Sequence, residues 1–343
     1  MKKGFNSGLV IFIILILLIA GYTTFKVIKP KTGFSISYRS SSPDSSSMEV
    51  KQAPSDNYDA RAAKSYKHDY IGAVFISGTI QEANSEYNQA WLLDTISSLK
   101  KDDSNTALAV YINSPGGAVY QADEVYLALQ DYKTTGRPIY VYQGPMAASG
   151  GYYISCAANQ IYANRNTLTG CIGVIMGTTY DLTGLFENLG IKSETVHSGK
   201  NKNMMNYNEP FTDEQREIMQ SMCDECYAQF VNIVAKGRHL SIEKTEELSD
   251  GRLYTANQAL SNGLIDHVDS WENMLRDLAE NELEKPGIKV KYYKYQKKQT
   301  FVESMISKAN ELSTAKAAAT LGLPAAVIDD MNNSSFVPMY LYK

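Results

Sequence analysis

The stretch "GPMAASGGYYISC", Gly144 to Cys156, sets one hydroxyl, Ser149, between two alanines and two glycines. A structural serine needs no such clearing. A nucleophile does, because a substrate carbonyl must come into van der Waals contact with it. Upstream, "NSPGG" (Asn113 to Gly117) closes an apolar, β-branched run. Paired glycines let backbone N–H groups face a ligand without side-chain cover, which is what an oxyanion hole requires. Gly116, Gly117 and Gly150 are the candidate donors. Gly150 also opens a predicted helix, whose positive end would add to the site.

A serine nucleophile needs a base. The four histidines are His68, His197, His239 and His267. His68 precedes the first core strand, and His239 and His267 lie far downstream among helices. None follows the serine on the next strands. His197 adjoins "VHSGKNKNMM", which also carries Ser198, Lys200 and Lys202. A lysine serves as base when neutral, which requires its pKa to fall from ~10.4 to ~7–8. Desolvation lowers it in that direction, and Met204 and Met205 beside Lys202 suggest apolar surroundings. The residues alone favour a solvated loop lysine over a neutral one. Cys223 and Cys226 form one C-x-x-C pair with no second pair and no His at ligand spacing, so no metal is expected, nor any cofactor.

These groups need a scaffold, and the pattern supplies one. "YIGAVFIS" from Tyr70, "TALAVYIN", "RPIYVYQ", "QIYAN" and "CIGVIMG" read as strands. "NQAWLLDTISSLKK", "AVYQADEVYLALQDYK", a segment from Met146 onward and "DLTGLFENLG", stopped by Gly190, read as helices. The alternation predicts an α/β fold with a mainly parallel sheet and βαβ crossovers. Thr212 and Gln215 form a capping-box pattern opening a helix to about Ala235. "YTANQALSNGLIDHV" reads as a short helix, a Gly stop and a strand. Beyond residue 288 a basic aromatic run, an Ala-rich stretch and "SSFVPMYLYK" follow.

The chain has 343 residues, 44% of them apolar and 20% charged, with a net charge of −4. That balance fits a full core and gives no sign of a nucleic-acid partner. Gly4 to Phe25 carries no charge. As a helix it would span ~33 Å, against a hydrocarbon core of ~30 Å. "AGYTTF" is a poor cleavage site, so a retained anchor is expected. The expected layout is an anchor over residues 1–28, a Ser-rich tether over 29–67, a catalytic domain over 68–285 and an extension over 286–343.

"YINSPGG", "MAASGGYYIS", "TLTGCIGVI" and "SGKNK" occur in this order, and together they resemble the signal peptide peptidase A family, membrane-anchored Ser–Lys peptidases. The resemblance covers about residues 70–270. It implies Ser149 as nucleophile and, four residues after Ser198, Lys202 as base. It implies a fold like that of crotonases and the Clp proteolytic subunit. It further implies an extracytoplasmic domain, peptide substrates such as remnant signal peptides, and homo-oligomeric rings in which neighbouring subunits supply serine and lysine. Clp-type chains carry a His where this one has "TLTGCIG", and its absence favours the dyad.

One departure is Cys171, where the family commonly has serine. A thiol would orient the lysine more weakly than a hydroxyl. Cys171 and Ser198 are the candidate orienting groups. Two alternatives stay open: an acyl-CoA hydratase or isomerase on a crotonase-like fold, and a membrane-tethered scaffold of low activity. A penicillin-binding reading fails, because Lys31-Thr-Gly33 and Ser55-Asp-Asn57 fall in the tether, in reversed order. The terminal "FVPMYLYK" is extended and apolar, so it is a candidate to dock in an active site as a substrate would and be trimmed there.

Overall fold

The computed structural model describes residues 68–296 and the backbone of residues 339–341. The expected anchor and tether, and the Ala-rich stretch, lie outside the described residues. Among the described residues no helix is long and apolar enough to cross a membrane.

The chain opens with β1 (Tyr70–Ser77), α1 (Gln89–Lys101), β2 (Asn105–Ser114), the short β3 (Gly116–Ala118) and α2 (Val119–Lys133). β4 (Ile139–Ala148), α3 (Gly150–Ser155), β5 (Gln160–Ala163) and β6 (Leu168–Gly170) follow. Then come α4 (Thr183–Asn188), the long α5 (Asp213–Arg238), α6 (Ile242–Glu247), β7 (Leu253–Thr255), α7 (Ala256–Ser261), β8 (His267–Val268) and α8 (Trp271–Asp277). β9 (Lys289–Lys294) and β10 (Met339–Leu341) complete the strands.

The main sheet runs β7-β6-β4-β2-β1-β9, and β5 pairs with both β4 and β8. Every pairing in it is parallel except β6 with β7. Strands covered on both faces are apolar at successive positions, and β1 shows why. Val74 and Ile76 join the larger core, with Leu92, Ile96 and Leu99 of α1 and Val125 and Leu129 of α2. Ile71 and Ala73 join the opposite core, under Met274 and Leu275 of α8. Each fully buried aliphatic side chain of this kind contributes roughly 1.5–3 kcal/mol. Leu92, Ile96 and Leu99 recur at helical spacing on one face of α1, and Asn88 caps that helix by accepting from Trp91 N–H.

Two expectations about local structure are corrected. The residues from Met146 to Ala148 are strand, because Met146–Ala148 pairs with Leu168–Gly170. β4 first pairs with β5 over Tyr140–Gln143 and then passes to β6. Long-range pairing here overrides the helical preference of Met and Ala. "CIGVIMG" is not a strand: the chain leaves β6 at Cys171, whose φ of 52° no strand accepts. The other strands and helices that the pattern marks fall where it puts them, while β3, β6, α6, β7, α8 and β9 carry no such mark. Gly190 ends α4 at φ 66°, and the Thr212/Gln215 capping box is formed in both directions.

Candidate active site

β4 ends at Ala148, and the chain turns into α3 through Ser149, at φ 54° and ψ −116°. This is a sparsely populated region for a residue with a Cβ, worth roughly 1–3 kcal/mol of strain. The surroundings hold it: Ser149 N–H donates to Gly170 O at 2.7 Å, and Tyr153 N–H donates to Ser149 O at 2.8 Å. All six residues of α3 are buried. Tyr153 OH donates to Asp123 of α2 at 2.6 Å and accepts from Gln229 of α5 at 2.8 Å. Tyr152 OH donates to Leu264 O at 2.8 Å. The serine thus sits on a sharp strand-to-helix turn, a geometry suited to a nucleophile. It is 1% exposed. Among the described residues its hydroxyl has no hydrogen-bond partner. The first turn of α3 leaves the N–H groups of Gly150, Gly151 and Tyr152 without intrahelical acceptors.

The two glycines of β3 have different tasks. Gly116, at φ 101°, donates its N–H to Ser114 Oγ at 3.0 Å, and its carbonyl accepts from Ile80 N–H at 2.8 Å. Ala118 N–H donates to Ile80 O at 2.9 Å. Strand alternation then turns the N–H and C=O of Gly117 to the opposite edge. On that edge lies β10, antiparallel, with Tyr340 opposite Gly117, Met339 opposite Ala118 and Leu341 opposite Gly116. The C-terminal residues therefore occupy β3 as an added strand. Of the two expected donors Gly116 and Gly117, only Gly117 points its N–H at this groove; that of Gly116 is held by Ser114. Ser114, fully buried, escaped the sequence argument, although it stands inside "NSPGG".

The lysine segment lies apart from this turn. Among the described residues no hydrogen bond joins Ser149 to Lys202. Lys202 and Ser198 are exposed. Lys202 N–H closes a turn onto Gly199 O at 3.0 Å. Lys200 is ion-paired with Glu214, so the two lysines are not equivalent. Cys171 follows the pair Ala148/Gly170 directly, and its N–H donates to Arg252 O at 2.8 Å. Burial raises the Cys171 thiol above its ordinary range, which keeps it a weak S–H donor. From Thr178 to Ser198 no side chain is buried, and Leu189, Ile191 and Val196 stand exposed at 57%, 49% and 93%.

The histidines lie elsewhere. His197 is exposed, with Nδ1 3.2 Å from Gly199 O. His239 is the left-handed C-cap of α5. His267 stacks on Tyr162. His68 is exposed at the start of the described chain. Cys223 Sγ donates to Val174 O at 3.3 Å, and none of the four cysteines is in a disulfide.

Residues 131–284 match the model of peptidase family S49, a span that contains Ser149, Cys171 and Lys202. The chain is 37% identical over 197 residues to a protein of Enterococcus faecium provisionally named signal peptide peptidase SppA, covering 57% of each chain. It is 32% identical over 209 residues to Protease 4 of Haemophilus influenzae, covering 59% of this chain and 33% of that one. The chain thus spans little more than half of the first relative and a third of the second. Among solved structures, a ClpP1 variant of Listeria monocytogenes overlaps 62% of this chain and 97% of its own, at 18% identity and a TM-score of 0.42. Residues 131–284, the part of the chain that is similar to peptidase family S49, hold both the strained serine turn and the lysine loop.

Proposed function

We propose that the protein is a serine peptidase in which Lys202 is the base for Ser149. The observation that carries this reading is the buried serine at positive φ, its hydroxyl unpartnered among the described residues, beside a strand edge occupied by an extended peptide segment. Lys202 Nζ takes the proton of Ser149 Oγ, and the oxygen attacks a peptide carbonyl. The oxyanion accepts from Gly117 N–H and Gly150 N–H. Collapse breaks the C–N bond, and the protonated lysine returns its proton to the leaving amine. Water, deprotonated by the same lysine, then releases the acyl group from Ser149.

In this reading Lys202 reaches Ser149 from a neighbouring subunit. Its exposure in the single chain and the uncovered apolar residues from Leu189 to Val196 support that arrangement. Desolvation frees a lysine of its proton, and the contact between subunits supplies it. The finer elements of the reading are a Clp/crotonase-like core, a ring of subunits, an N-terminal membrane anchor and an extracytoplasmic catalytic domain. Substrates are apolar peptides, remnant signal peptides among them. The uncharged run from Gly4 to Phe25 supports the anchor.

A fluorophosphonate probe tests the chemistry. The expected result is one adduct per chain, on Ser149, absent from Ser149→Ala. A crotonase-type enzyme or an inactive scaffold leaves the probe unreacted. The tail gives a further prediction. A segment lying on β3 with Tyr340 opposite Gly117 is presented as a substrate, so intact mass should show the wild-type chain shortened at its C-terminus and Ser149→Ala full length. Identical C-termini in the two proteins would exclude self-trimming.

A further inference from the structure

We infer that Glu214, in the first turn of α5, is a positioning residue that sets the direction of Lys202 by holding the two residues before it. The inference rests on the reading of Lys202 as base.

The loop around Lys202 has no core of its own. From Ser198 to Asn203 every residue is exposed or half-buried. Its backbone is a run of turns: Lys202 N–H to Gly199 O at 3.0 Å, Met204 N–H to Asn201 O at 3.3 Å and Asn206 N–H to Asn203 O at 3.2 Å. Asparagines lace the turns together, with Asn206 Nδ2 donating to Asn203 Oδ1 at 2.8 Å and Asn208 Nδ2 to Thr195 Oγ1 at 3.0 Å. Further along, Met205 O accepts from Thr179 Oγ1 at 3.2 Å and Tyr207 O from Leu182 N–H at 2.9 Å, but both donors lie in a segment with no buried side chain, and none of these bonds holds Lys200 to Lys202 on the body of the protein.

Glu214 does. Its carboxylate accepts from Lys200 Nζ and, with the other oxygen, from Asn201 Nδ2 at 3.5 Å. The carboxylate sits at a helix N-terminus, where negative charge is favoured, on a turn fixed by the Thr212/Gln215 box. The Lys200 hydrogen bond holds its carboxyl below the usual range, so it stays ionised through neutral pH. Helix α5 is anchored further along by buried Phe230, Val231 and Val234, and Gln229 on it reaches Tyr153 of α3. One rigid helix therefore bears on both the lysine loop and the turn that holds Ser149. Lys200 and Glu214 are 75% and 50% exposed. An ion pair so open to water adds little to folding stability and biases a loop by no more than about five-fold. Its effect belongs in the rate.

The test is steady-state peptide hydrolysis by the full-length protein. Glu214→Ala and Lys200→Ala should each lower kcat about five-fold, with KM within about two-fold and the melting temperature unchanged within about 2 °C. Charge reversal at one position, Glu214→Lys or Lys200→Glu, should lower kcat further, and the two reversals together should restore at least half of the wild-type kcat. A merely structural pair would shift the melting temperature instead. Wild-type kcat in Glu214→Ala, or a double reversal no better than the single ones, overturns the positioning role. Full activity in Lys202→Ala overturns the dyad on which it depends, whatever Glu214 does.

Discussion

Replacing Lys202 by Ala should lower kcat for peptide hydrolysis by about 10⁴-fold or more, the scale on which removal of one member of a nucleophile–base unit acts. Ser149→Ala should do the same, and Lys200→Ala should not, because Lys200 is spent on Glu214. The informative step is to mix the two inactive proteins. If lysine and serine come from different subunits, a Ser149→Ala chain still offers its Lys202 to the intact serine of a Lys202→Ala neighbour. Random assembly of equal amounts into a symmetric ring should then return about a quarter of the wild-type rate. A mixture that stays inactive after dissociation and reassembly would place both groups in one chain. That outcome would require the loop from Ser198 to Met205 to refold onto its own Ser149. The exposed position of Lys202, apart from the buried serine, motivates the experiment.

Gly117→Ala should be the next most damaging change after those two. A Cβ at Gly117 would lie 1.8 Å from Ile80 O, 2.6 Å from Ile80 C and 2.7 Å from Ile80 N. All three atoms are backbone, so no rotamer change relieves the overlap. Either β3 or the chain at Ile80 must move, and the N–H of Gly117 moves with it. Loss of one oxyanion donor lowers kcat by about 10²–10³-fold, and Gly117→Ala should reach at least that range. Gly184→Ala is the control, since nothing lies within 4 Å of its Cβ position; its kcat should be unchanged. The melting temperature of Gly117→Ala separates loss of the site from loss of the fold. A folded Gly117→Ala protein with wild-type kcat would remove Gly117 from the oxyanion hole.

Much of this architecture can be read locally, because local rules produce it. β1 and β2 are apolar at successive positions since both faces of a central parallel strand are covered. Helix ends announce themselves: Asn88, Thr212 and Gly190 stand where caps and stops are needed. Ser149 is conspicuous because only small neighbours let a backbone turn so sharply and leave a hydroxyl reachable. Other features depend on partners distant in sequence. Met146–Ala148 has helix-forming residues and is strand, since Leu168–Gly170 lies alongside. Cys171 looks like the start of a strand and is the point where one ends. Its φ of 52° and its bond to Arg252 O belong to a turn made about eighty residues apart in sequence.

Legible in the sequence are the alternation that builds a parallel sheet, a serine cleared of bulk as a candidate nucleophile, and the loop that carries the candidate lysines. Each is a matter of residue type and short spacing. Long-range packing sets which glycine N–H faces the groove, which lysine is tied to Glu214, and that residues 339–341 lie on β3 in a register opposing Tyr340 to Gly117. The reason is that a backbone donor can be claimed by either of two edges. Which edge claims it depends on pairings such as Ile80 with Gly117 and Gly117 with Tyr340, separated by 37 and 223 positions along the chain, and no local window contains both members.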